Sequence, residues 1–329
     1  MRFSVVVPVY NVADYLAKCL DGLLPALEPE DEVILSLGKS ADRSSEIALE
    51  YAKRYANVKL LWQRGNGLSD ARNCALEAAS GDYIICVDSD DYVETEILCK
   101  LLARMRKENW QFDVVVHDFR RLERKTDKLV DVFQVGPGIE DVGLPFLPRL
   151  LAKRQCFWNV WRFIYRRDFL RKNEIRYLTN VLSEDVAYTA DVLISKPELK
   201  FVHYPFYVYT VGRGDSLMDK PTLKRLEDTV YVLGYAVEKL RSSDLEQKDC
   251  VMAQFQFEYL LNMALCWELE KRYRAAAFKL FADWRQILLA SSDRAVRFGQ
   301  IFLQIFGVKC FSLTMYILKK IKRFIRRLQ

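Results

Sequence analysis

An uninterrupted apolar run that ends in an acidic cluster constrains this chain more than any other feature. Residues 83–87 read Tyr-Ile-Ile-Cys-Val, and Asp88, Ser89, Asp90 and Asp91 follow directly. A continuous apolar run of this kind is typical of a strand that is buried on both faces of a parallel sheet. The carboxyl ends of such strands carry the binding sites of α/β proteins. The run therefore predicts an α/β fold with a site at its acidic end.

Two interpretations of the acidic cluster stay open when its residues are considered alone. Clustered carboxylates repel one another unless a cation lies between them, and hard oxygen ligands select Mg²⁺ or Mn²⁺ over zinc. Alternatively, the cluster is an acidic turn whose Asp and Ser side chains cap a helix that begins near Glu94. The chain has only two histidines, so metal and acid–base chemistry must rely on carboxylates.

Length and cysteine usage limit the class of protein. The 329 residues can bury one large core plus an accessory region, and the composition is that of a folded protein. The eight cysteines are scattered, without a C-x-x-C pair, and no secretory signal is visible at the N-terminus. We therefore expect reduced thiols and a cytoplasmic location.

The net charge of +6 comes from the C-terminal segment. From Arg294 onward there are nine Lys and Arg residues and no acidic residue, so the rest of the chain carries −3, the difference between +6 and nine. A nucleic-acid-binding protein would be expected to spread basic residues over its folded surface, so we expect no nucleic-acid partner.

The same segment has a helical pattern of apolar residues. In residues 316–328 the apolar side chains recur at helical spacing and six cations lie opposite them. This pattern predicts a helix that lies in an anionic membrane interface, while an ordinary solvated terminal helix is the alternative. Residues 301–318 are apolar enough to raise the question of a membrane-spanning helix, which polar residues such as Gln304 and Lys309 interrupt.

Strands and helices alternate over the first 120 residues. We expect Asp42 or Ser44 to cap the second helix and Ser69 or Asp70 to cap the third. The alternation predicts a doubly wound parallel sheet with right-handed crossovers. The expected strands lie at residues 3–8, 32–37, 58–62, 83–87 and 112–116.

Four segments in a fixed order carry a family resemblance. They are VVVPVYN at residues 5–11, NGLSDARN at 66–73, ASGDY at 79–83 running into the acidic cluster, and SED at 183–185. With these segments, over roughly residues 3–216, the chain resembles the family 2 inverting glycosyltransferases that build bacterial surface polysaccharides. The resemblance implies a GT-A-type doubly wound, mainly parallel sheet flanked by helices. Apolar residues at helical spacing in residues 220–290 add a helical C-terminal region before the amphipathic basic tail.

The resemblance also implies a donor site for a nucleotide-diphosphate sugar, with a UDP-sugar as the expected donor. Asp90 would hold Mn²⁺ or Mg²⁺ against the diphosphate, and Asp88 would face the ribose or the sugar. Arg72 would contact a donor phosphate or pair with a site aspartate, while a structural ion pair is the alternative. The other donor-site residues that the resemblance implies are Pro8, Val9, Tyr10, Asn11, Ser89 and Arg213, the last in a glycine-rich loop.

An inverting transfer needs a base on the acceptor side. By the resemblance, the acidic pair Glu184 and Asp185 at the start of a helix supplies it, with Asp185 as the candidate base. The alternative is that both residues merely cap that helix and complement its dipole.

The chain departs from the family pattern after the second strand. Where many relatives have an aspartate that accepts a hydrogen bond from the donor's base, this chain reads LGKSAD at residues 37–42. The base-reading carboxylate is missing, and Asp42 is interpreted as a helix cap. The departure motivates an alternative function, a catalytically silent nucleotide-sugar or glycan binding module.

These patterns divide the chain into four expected segments and predict one function. They are a nucleotide-sugar-binding half (1–120), an acceptor-side part (121–217), a helical region (218–300) and a membrane-associating tail (301–329). We expect a metal-dependent glycosyltransferase that uses a lipid-linked glycan acceptor and lies peripherally on the inner face of the cytoplasmic membrane. A nucleotidyltransferase is a further alternative, although its glycine- and lysine-rich phosphate loop is absent after the first strand.

Overall fold

The computed structural model describes residues 1–133, 135–137, 141–152, 158–212 and 221–328, with the side chains of 141, 142 and 323–328 left out. The strands in these ranges are β1 (Phe3–Val9), β2 (Glu32–Leu37), β3 (Val58–Trp62), β4 (Tyr83–Cys86), β5 (Tyr92–Val93), β6 (Val114–Glu123), β7 (Lys128–Val132), β8 (Asp141–Val142), β9 (Phe163–Arg166) and β10 (Leu199–Val211). The helices are α1 (Ala13–Leu23), α2 (Ser44–Arg54), α3 (Leu68–Ala78), α4 (Thr95–Lys107), α5 (Leu147–Leu151), α6 (Arg167–Lys172), α7 (Glu184–Ile194), α8 (Leu223–Ser242), α9 (Lys248–Asn262), α10 (Lys271–Asp283) and α11 (Arg294–Leu328).

The chain divides into two compact units. The first, here called the sheet unit, comprises the described residues of 1–146, 155–180 and 195–216. The second, the helical unit, comprises those of 147–154, 181–194 and 217–329. The four-segment division expected from the sequence stays a prediction.

The sheet unit is built on one mixed sheet whose strand order is β3-β2-β1-β4-β9-β6-β10-β5. Strands β3, β2, β1 and β4 are parallel, and so are β6 and β10. Strand β9 is antiparallel to both of its neighbours, β4 and β6. The predicted doubly wound α/β sheet with flanking helices is confirmed, and the inserted β9 makes it mixed.

The first strands are buried along their whole length, as their apolar sequences predict. Every residue of β1, β2 and β4 is buried, because helices cover both faces of the sheet at this point. Helix α1 packs the face that carries Leu16, Cys19, Leu20 and Leu23 into this core. The parallel strands therefore end together at one edge, where the acidic cluster follows β4.

The expected cap of the third helix is wrong. Helix α3 begins at Leu68, so Ser69 and Asp70 lie inside its first turn. Gly67, with a φ of 87°, precedes the helix in a left-handed conformation that favours glycine. The carboxylate of Asp70 instead accepts a hydrogen bond of 2.7 Å from the backbone N–H of Gly65, which closes the loop in front of the helix.

The helical unit contains α5 and α7 to α11, which agrees with the helical C-terminal region expected from the sequence. Helix α7 packs against α8, and α8 packs against α9 and α10. Helix α11 is interrupted at Gly307, whose φ of 72° and ψ of 171° are not helical. Among the described residues, the stretch Arg294–Lys322 is long and apolar enough to cross a membrane, judged by length and composition alone.

Candidate active site

Three carboxylates meet at the carboxyl end of β4. One oxygen each of Asp88, Asp90 and Asp91 lies within 4.8 Å of the others. The turn that gathers them is held by hydrogen bonds from Val87 N–H to the Val6 carbonyl (2.9 Å) and from Asp91 N–H to the Asp88 carbonyl (3.0 Å). The sequence prediction that this strand ends in an acidic site is therefore consistent with the geometry.

Arg72 fixes the orientation of Asp88. Its Nη2 donates a hydrogen bond of 2.7 Å to Asp88 Oδ1, and the guanidinium is buried while the aspartate is partly exposed. Helix α3 presents Arg72 to the cluster, and its neighbour Asn73 bonds both the N–H and the carbonyl of Tyr177. This contact agrees with the pairing of Arg72 with a site aspartate and equally with the alternative of a structural ion pair.

Asp91 joins the end of β4 to strand β10. Its carboxylate accepts hydrogen bonds of 2.7 Å from the Tyr207 hydroxyl and 2.7 Å from the Thr210 N–H. The same hydroxyl accepts a bond of 3.2 Å from the Asp88 N–H, and the Tyr207 ring stacks on Trp161 at 4.3 Å. Because Asp91 bonds β10 rather than the start of α4 at Thr95, this carboxylate is not a helix cap.

The electrostatics of the cluster are those of crowded like charges. Burial is the main cause that raises the pKa of Asp91 well above its usual value, and repulsion from Asp90 and Asp88 adds to it. Burial and the same three aspartates also raise the pKa of the Cys19 thiol, which lies beneath the Asp88 carbonyl. A positive charge at the cluster would relieve this repulsion.

The donor atoms of the cluster fit a divalent cation. All three side chains offer carboxylate oxygens, the ligands that Mg²⁺ and Mn²⁺ prefer. A small cavity of about 30 Å³ lies beside Asp90 and Asp91 and is also lined by Lys18 and Arg124. A cavity of this size has room for an ion or a water molecule.

The ends of β1 and β2 form the neighbouring part of the same edge. Pro8 and Val9 are buried in β1, whereas the Tyr10 side chain is 62% exposed. Asn11, at a φ of 50°, accepts a hydrogen bond of 2.8 Å from the Ala41 N–H through its side chain. These residues connect the two loops that follow β1 and β2.

Asp42 has a structural role at this edge. Its carboxylate accepts hydrogen bonds from the Ser44 N–H at 3.0 Å and from the Ala13 N–H at 2.9 Å, so it joins the starts of α2 and α1. Burial acts to raise the pKa of Asp42, but the hydrogen bonds from Ser44 and Ala13 outweigh it and lower the pKa. The residue at the cap position of α2 is Arg43, so the expected cap at Asp42 or Ser44 is wrong, although Asp42 bonds the first N–H of the helix.

Glu184 and Asp185 belong to the helical unit, where they form the first turn of α7. Glu184 is buried and Asp185 is partly exposed. Ser183 precedes them with a φ of 64°, and the Val186 N–H donates to its carbonyl at 3.1 Å. The acidic pair thus lies at a helix start, as predicted.

The remaining site residues separate into two groups. Ser89 is buried in the turn of the cluster, and Arg213 lies outside the described residues. Sequence reasoning missed Tyr207 and Trp161, and it gave Asp91 no role of its own. The tyrosines of the 202–210 segment were the available signal, but spacing alone could not pair one of them with an aspartate 116 residues away.

A sheet of this strand order, with an acidic cluster at the carboxyl edge, defines a GT-A-type fold. The chain belongs to glycosyl transferase family 2, whose family model matches residues 4–178. The predicted family and fold are therefore confirmed, and the chain is a glycosyltransferase by family.

The relatives found by sequence include the following two glycosyltransferases. The uncharacterized glycosyltransferase EpsJ of Bacillus subtilis is 30% identical over 213 residues, which are 63% of this chain and 60% of EpsJ. The poly(ribitol-phosphate) beta-N-acetylglucosaminyltransferase TarS of Staphylococcus aureus is 26% identical over 261 residues, 78% of this chain and 44% of TarS. The alignments thus span about half of the length of these relatives.

Two solved structures share the fold. Residues 1–349 of S. aureus TarS, in complex with UDP-GlcNAc, match with a TM-score of 0.72 at 20% identity, covering 100% of this chain and 93% of the other. The mannosyltransferase PcManGT of Pyrobaculum calidifontis, in complex with GDP-Man and Mn²⁺, matches with a TM-score of 0.56 at 16% identity, covering 98% and 86%.

Proposed function

We propose that this protein is a metal-dependent inverting glycosyltransferase that moves a sugar from a UDP-sugar to a lipid-linked glycan in the synthesis of a cell-surface polysaccharide. The observation that carries this proposal is the cluster of Asp88, Asp90 and Asp91 at the carboxyl end of β4. An enzyme that cleaves a nucleotide-sugar must stabilise the negative charge of the departing diphosphate, and a cation-binding cluster at the donor edge suits that task.

The residues of the donor site have separate roles in this proposal. Asp90, with Asp88 and Asp91 beside it, would hold Mn²⁺ or Mg²⁺, which when bound supplies the positive charge that neutralises the leaving diphosphate. Arg72 keeps Asp88 in one orientation through their 2.7 Å contact. The end of β1, with Pro8 and Val9, and the loop after it, with Tyr10 and Asn11, line the nucleotide in this proposal. Ser89 and Arg213 are further donor-site residues in this proposal.

Asp185 is the proposed base. It accepts the proton of the acceptor hydroxyl as that oxygen attacks the anomeric carbon from the side opposite the diphosphate, which inverts the configuration. Asp185 is the partly exposed member of the acidic pair, whereas Glu184 is buried beside it.

The relatives support the choice of donor and metal. TarS binds UDP-GlcNAc and PcManGT binds GDP-Man with Mn²⁺ on the same fold. UDP is the expected nucleotide because TarS is the more similar of the two. The missing base-reading aspartate makes the nucleotide the part of this proposal that most needs a direct test.

The C-terminal helix is proposed to attach the protein to the inner face of the cytoplasmic membrane. Phe298, Ile301 and Ile305 recur at helical spacing on α11 and are between 54% and 67% exposed. The six cations of residues 316–328 follow on the same helix. An exposed apolar face next to clustered cations favours an anionic lipid surface.

The donor-site proposal is tested by nucleotide release. The full chain is incubated with UDP-, GDP- and TDP-sugars in the presence of Mn²⁺, Mg²⁺ or a chelator, and compared with Asp90→Asn and Asp185→Asn. We expect metal-dependent release from one UDP-sugar, its abolition by Asp90→Asn and a strong reduction by Asp185→Asn. Metal-dependent binding without release or transfer to any glycan would favour a binding module, and release of pyrophosphate would favour a nucleotidyltransferase.

The membrane proposal is tested by sedimentation with anionic vesicles. Removal of residues 308–329 is expected to leave the protein in solution, with donor hydrolysis largely unchanged. A matched variant replaces Lys319, Lys320 and Lys322 by Gln, which removes charge and keeps the apolar face. Unchanged sedimentation of both variants would contradict the proposal.

A further inference from the structure

A cavity of about 490 Å³ lies within the helical unit, and none of the residues that line it belongs to the donor site. Its floor is one face of α8, because Tyr231, Gly234, Tyr235 and Glu238 follow each other at helical spacing. Trp284 and the residues after it form the opposite side. The volume lies in the roughly 300–1,000 Å³ range of small-molecule sites and exceeds the voids of a packed core.

The walls of this cavity are fixed by contacts within the unit. A β-carbon at Gly234 would lie 2.3 Å from Cζ3 of Trp284, so only glycine lets the indole rest against α8. Arg241 Nη2 donates to the Gln286 carbonyl at 3.2 Å, which ties the segment after Trp284 to the same helix. The cavity is therefore formed by the fold itself rather than by a mobile surface side chain.

The lining combines aromatic rings with polar groups of both signs. The rings of Tyr231 and Trp284 lie 6.5 Å apart at an angle of 83°, and Tyr231 is 46% exposed. Glu238, Lys239 and Gln286 add a carboxylate, an ammonium and an amide at the same cavity. Aromatic faces suit the C–H faces of a sugar ring, and mixed donors and acceptors suit its hydroxyl groups. One acidic and one basic side chain line the cavity, and this balance of charge favours a neutral ligand over an anion.

The cavity is connected to the helix of the proposed base. The Tyr235 hydroxyl donates to Asp191 Oδ2 at 2.9 Å, and Lys239 Nζ lies 3.8 Å from Asp191 Oδ1. Asp191 lies on α7, six residues after Asp185. At about 1.5 Å per residue the two positions are about 9 Å apart along the helix. A glycan that reaches from one to the other needs only a few sugar units.

We propose that this cavity binds a sugar unit of the acceptor glycan that is remote from the reacting hydroxyl. The inference rests on the proposed function, because it takes Asp185 as the base and a glycan as the acceptor. In this proposal α8 and Trp284 recognise the length of the acceptor, so the helical unit binds the acceptor in addition to carrying the proposed base on α7.

The test is direct binding of defined saccharides to the full chain, without donor. Cellobiose, maltose, N,N′-diacetylchitobiose and lactose are titrated by calorimetry, with n-decanol as an apolar probe. We expect saturable binding of at least one disaccharide and a loss of about tenfold in its affinity in Tyr231→Ala, because the stacking contact is removed. Gln286→Ala tests a second wall with little risk to folding, since its side chain is exposed.

The matched control is Tyr273→Ala, which removes a partly exposed tyrosine of α10 outside the cavity and is expected to bind the saccharide like the native chain. Binding that is unchanged in both Tyr231→Ala and Gln286→Ala would overturn the inference. Binding of n-decanol in place of every saccharide, or no saccharide binding at all, would overturn it too. Metal-dependent nucleotide release that persists in those cases would leave the proposed function standing, so the two failures are distinguishable.

Discussion

The two edges of the sheet in the sheet unit treat carboxylates in opposite ways. At the amino edge, Glu32 accepts hydrogen bonds from Ser4 Oγ (2.6 Å), Ser80 N–H (2.7 Å) and Lys59 Nζ (2.5 Å). Asp31 at the same edge pairs with Arg106. At the carboxyl edge, Asp88, Asp90 and Asp91 are held within 4.8 Å of one another.

The pKa values follow this difference. Burial acts to raise the pKa of Glu32, but hydrogen bonds from Lys59, Ser4 and Ser80 outweigh it and lower the pKa to about 2. At Asp91, burial and the neighbouring aspartates raise the pKa, and the hydrogen bonds from Thr210 and Tyr207 do not compensate. At one edge the carboxylates are stabilised by hydrogen bonds and ion pairs, whereas at the other edge they lie close together against their mutual repulsion.

Asp90→Asn is expected to have the largest effect on activity of the substitutions at the carboxyl edge. We expect donor turnover to fall about a hundredfold or more, because the cation that would neutralise the leaving diphosphate loses a charged ligand. The melting temperature should not decrease, since the substitution relieves repulsion. Steady-state nucleotide release and thermal unfolding measure the two effects.

The matched control is Asp82→Asn, at the other end of the same strand. Asp82 is an exposed carboxylate that accepts a hydrogen bond of 2.8 Å from the Arg2 N–H. The donor turnover of the Asp82→Asn variant should equal that of the native chain. A similar loss of turnover in both variants would contradict the division of the sheet into a stabilising and a functional edge.

Glu32→Gln removes a charged hydrogen-bond acceptor from the amino edge of the sheet. We expect the free energy of unfolding to fall by about 2–3 kcal/mol, because donors on Ser4, Ser80 and Lys59 lose a charged acceptor. Chemical denaturation measures this loss. Glu46→Gln, which affects only an exposed ion pair with Arg43, should cost less than about 0.5 kcal/mol. Equal losses in the two variants would show that Glu32 contributes no more than a surface charge.

The pH dependence of the free energy of unfolding also tests the stabilising role of Glu32. The folded-state pKa of Glu32 is lowered from 4.5 to about 2, so its contribution is complete above pH 4.5 and is lost as the pH falls toward 2. The stability difference between the native chain and Glu32→Gln should shrink across that window. A difference that stays constant from pH 6 to about pH 2 would contradict the lowered pKa.

Tyr207→Phe is the mildest test, since it keeps the ring that stacks on Trp161 and removes only the hydroxyl. Asp91 loses one of two hydrogen bonds, which should cost about 1 kcal/mol of stability. A severalfold fall in donor turnover should accompany it, because the cluster is held less firmly. Tyr204→Phe, on the same strand, is the control and should change neither quantity.

Much of the sheet could be predicted from local patterns. The strands at residues 32–37 and 58–62 have the predicted bounds, although only the first is buried along its whole length. The acidic end of β4 and the helix that starts at Glu184 were likewise visible, since each depends on residues next to one another.

Features that depend on distant partners could not be predicted. Strand β9 inserts antiparallel between β4 and β6, and no local property of residues 163–166 specifies those neighbours. The bond between Tyr207 and Asp91 joins residues 116 positions apart. The predicted cap of α3 was wrong because Ser69 and Asp70 are typical cap residues, whereas the cap position is occupied by Gly67, two or three residues earlier.

The interruption of α11 at Gly307 bears on how the protein can meet a lipid bilayer. A β-carbon there would meet nothing within 4 Å, so the bend is a property of the backbone and not of crowding. A left-handed residue in mid-helix leaves peptide groups without their helical partners. Water satisfies such groups at little cost, whereas hydrocarbon cannot, and each would oppose insertion by several kcal/mol. The bend therefore favours the proposed attachment at the membrane interface over a membrane-spanning helix for this segment.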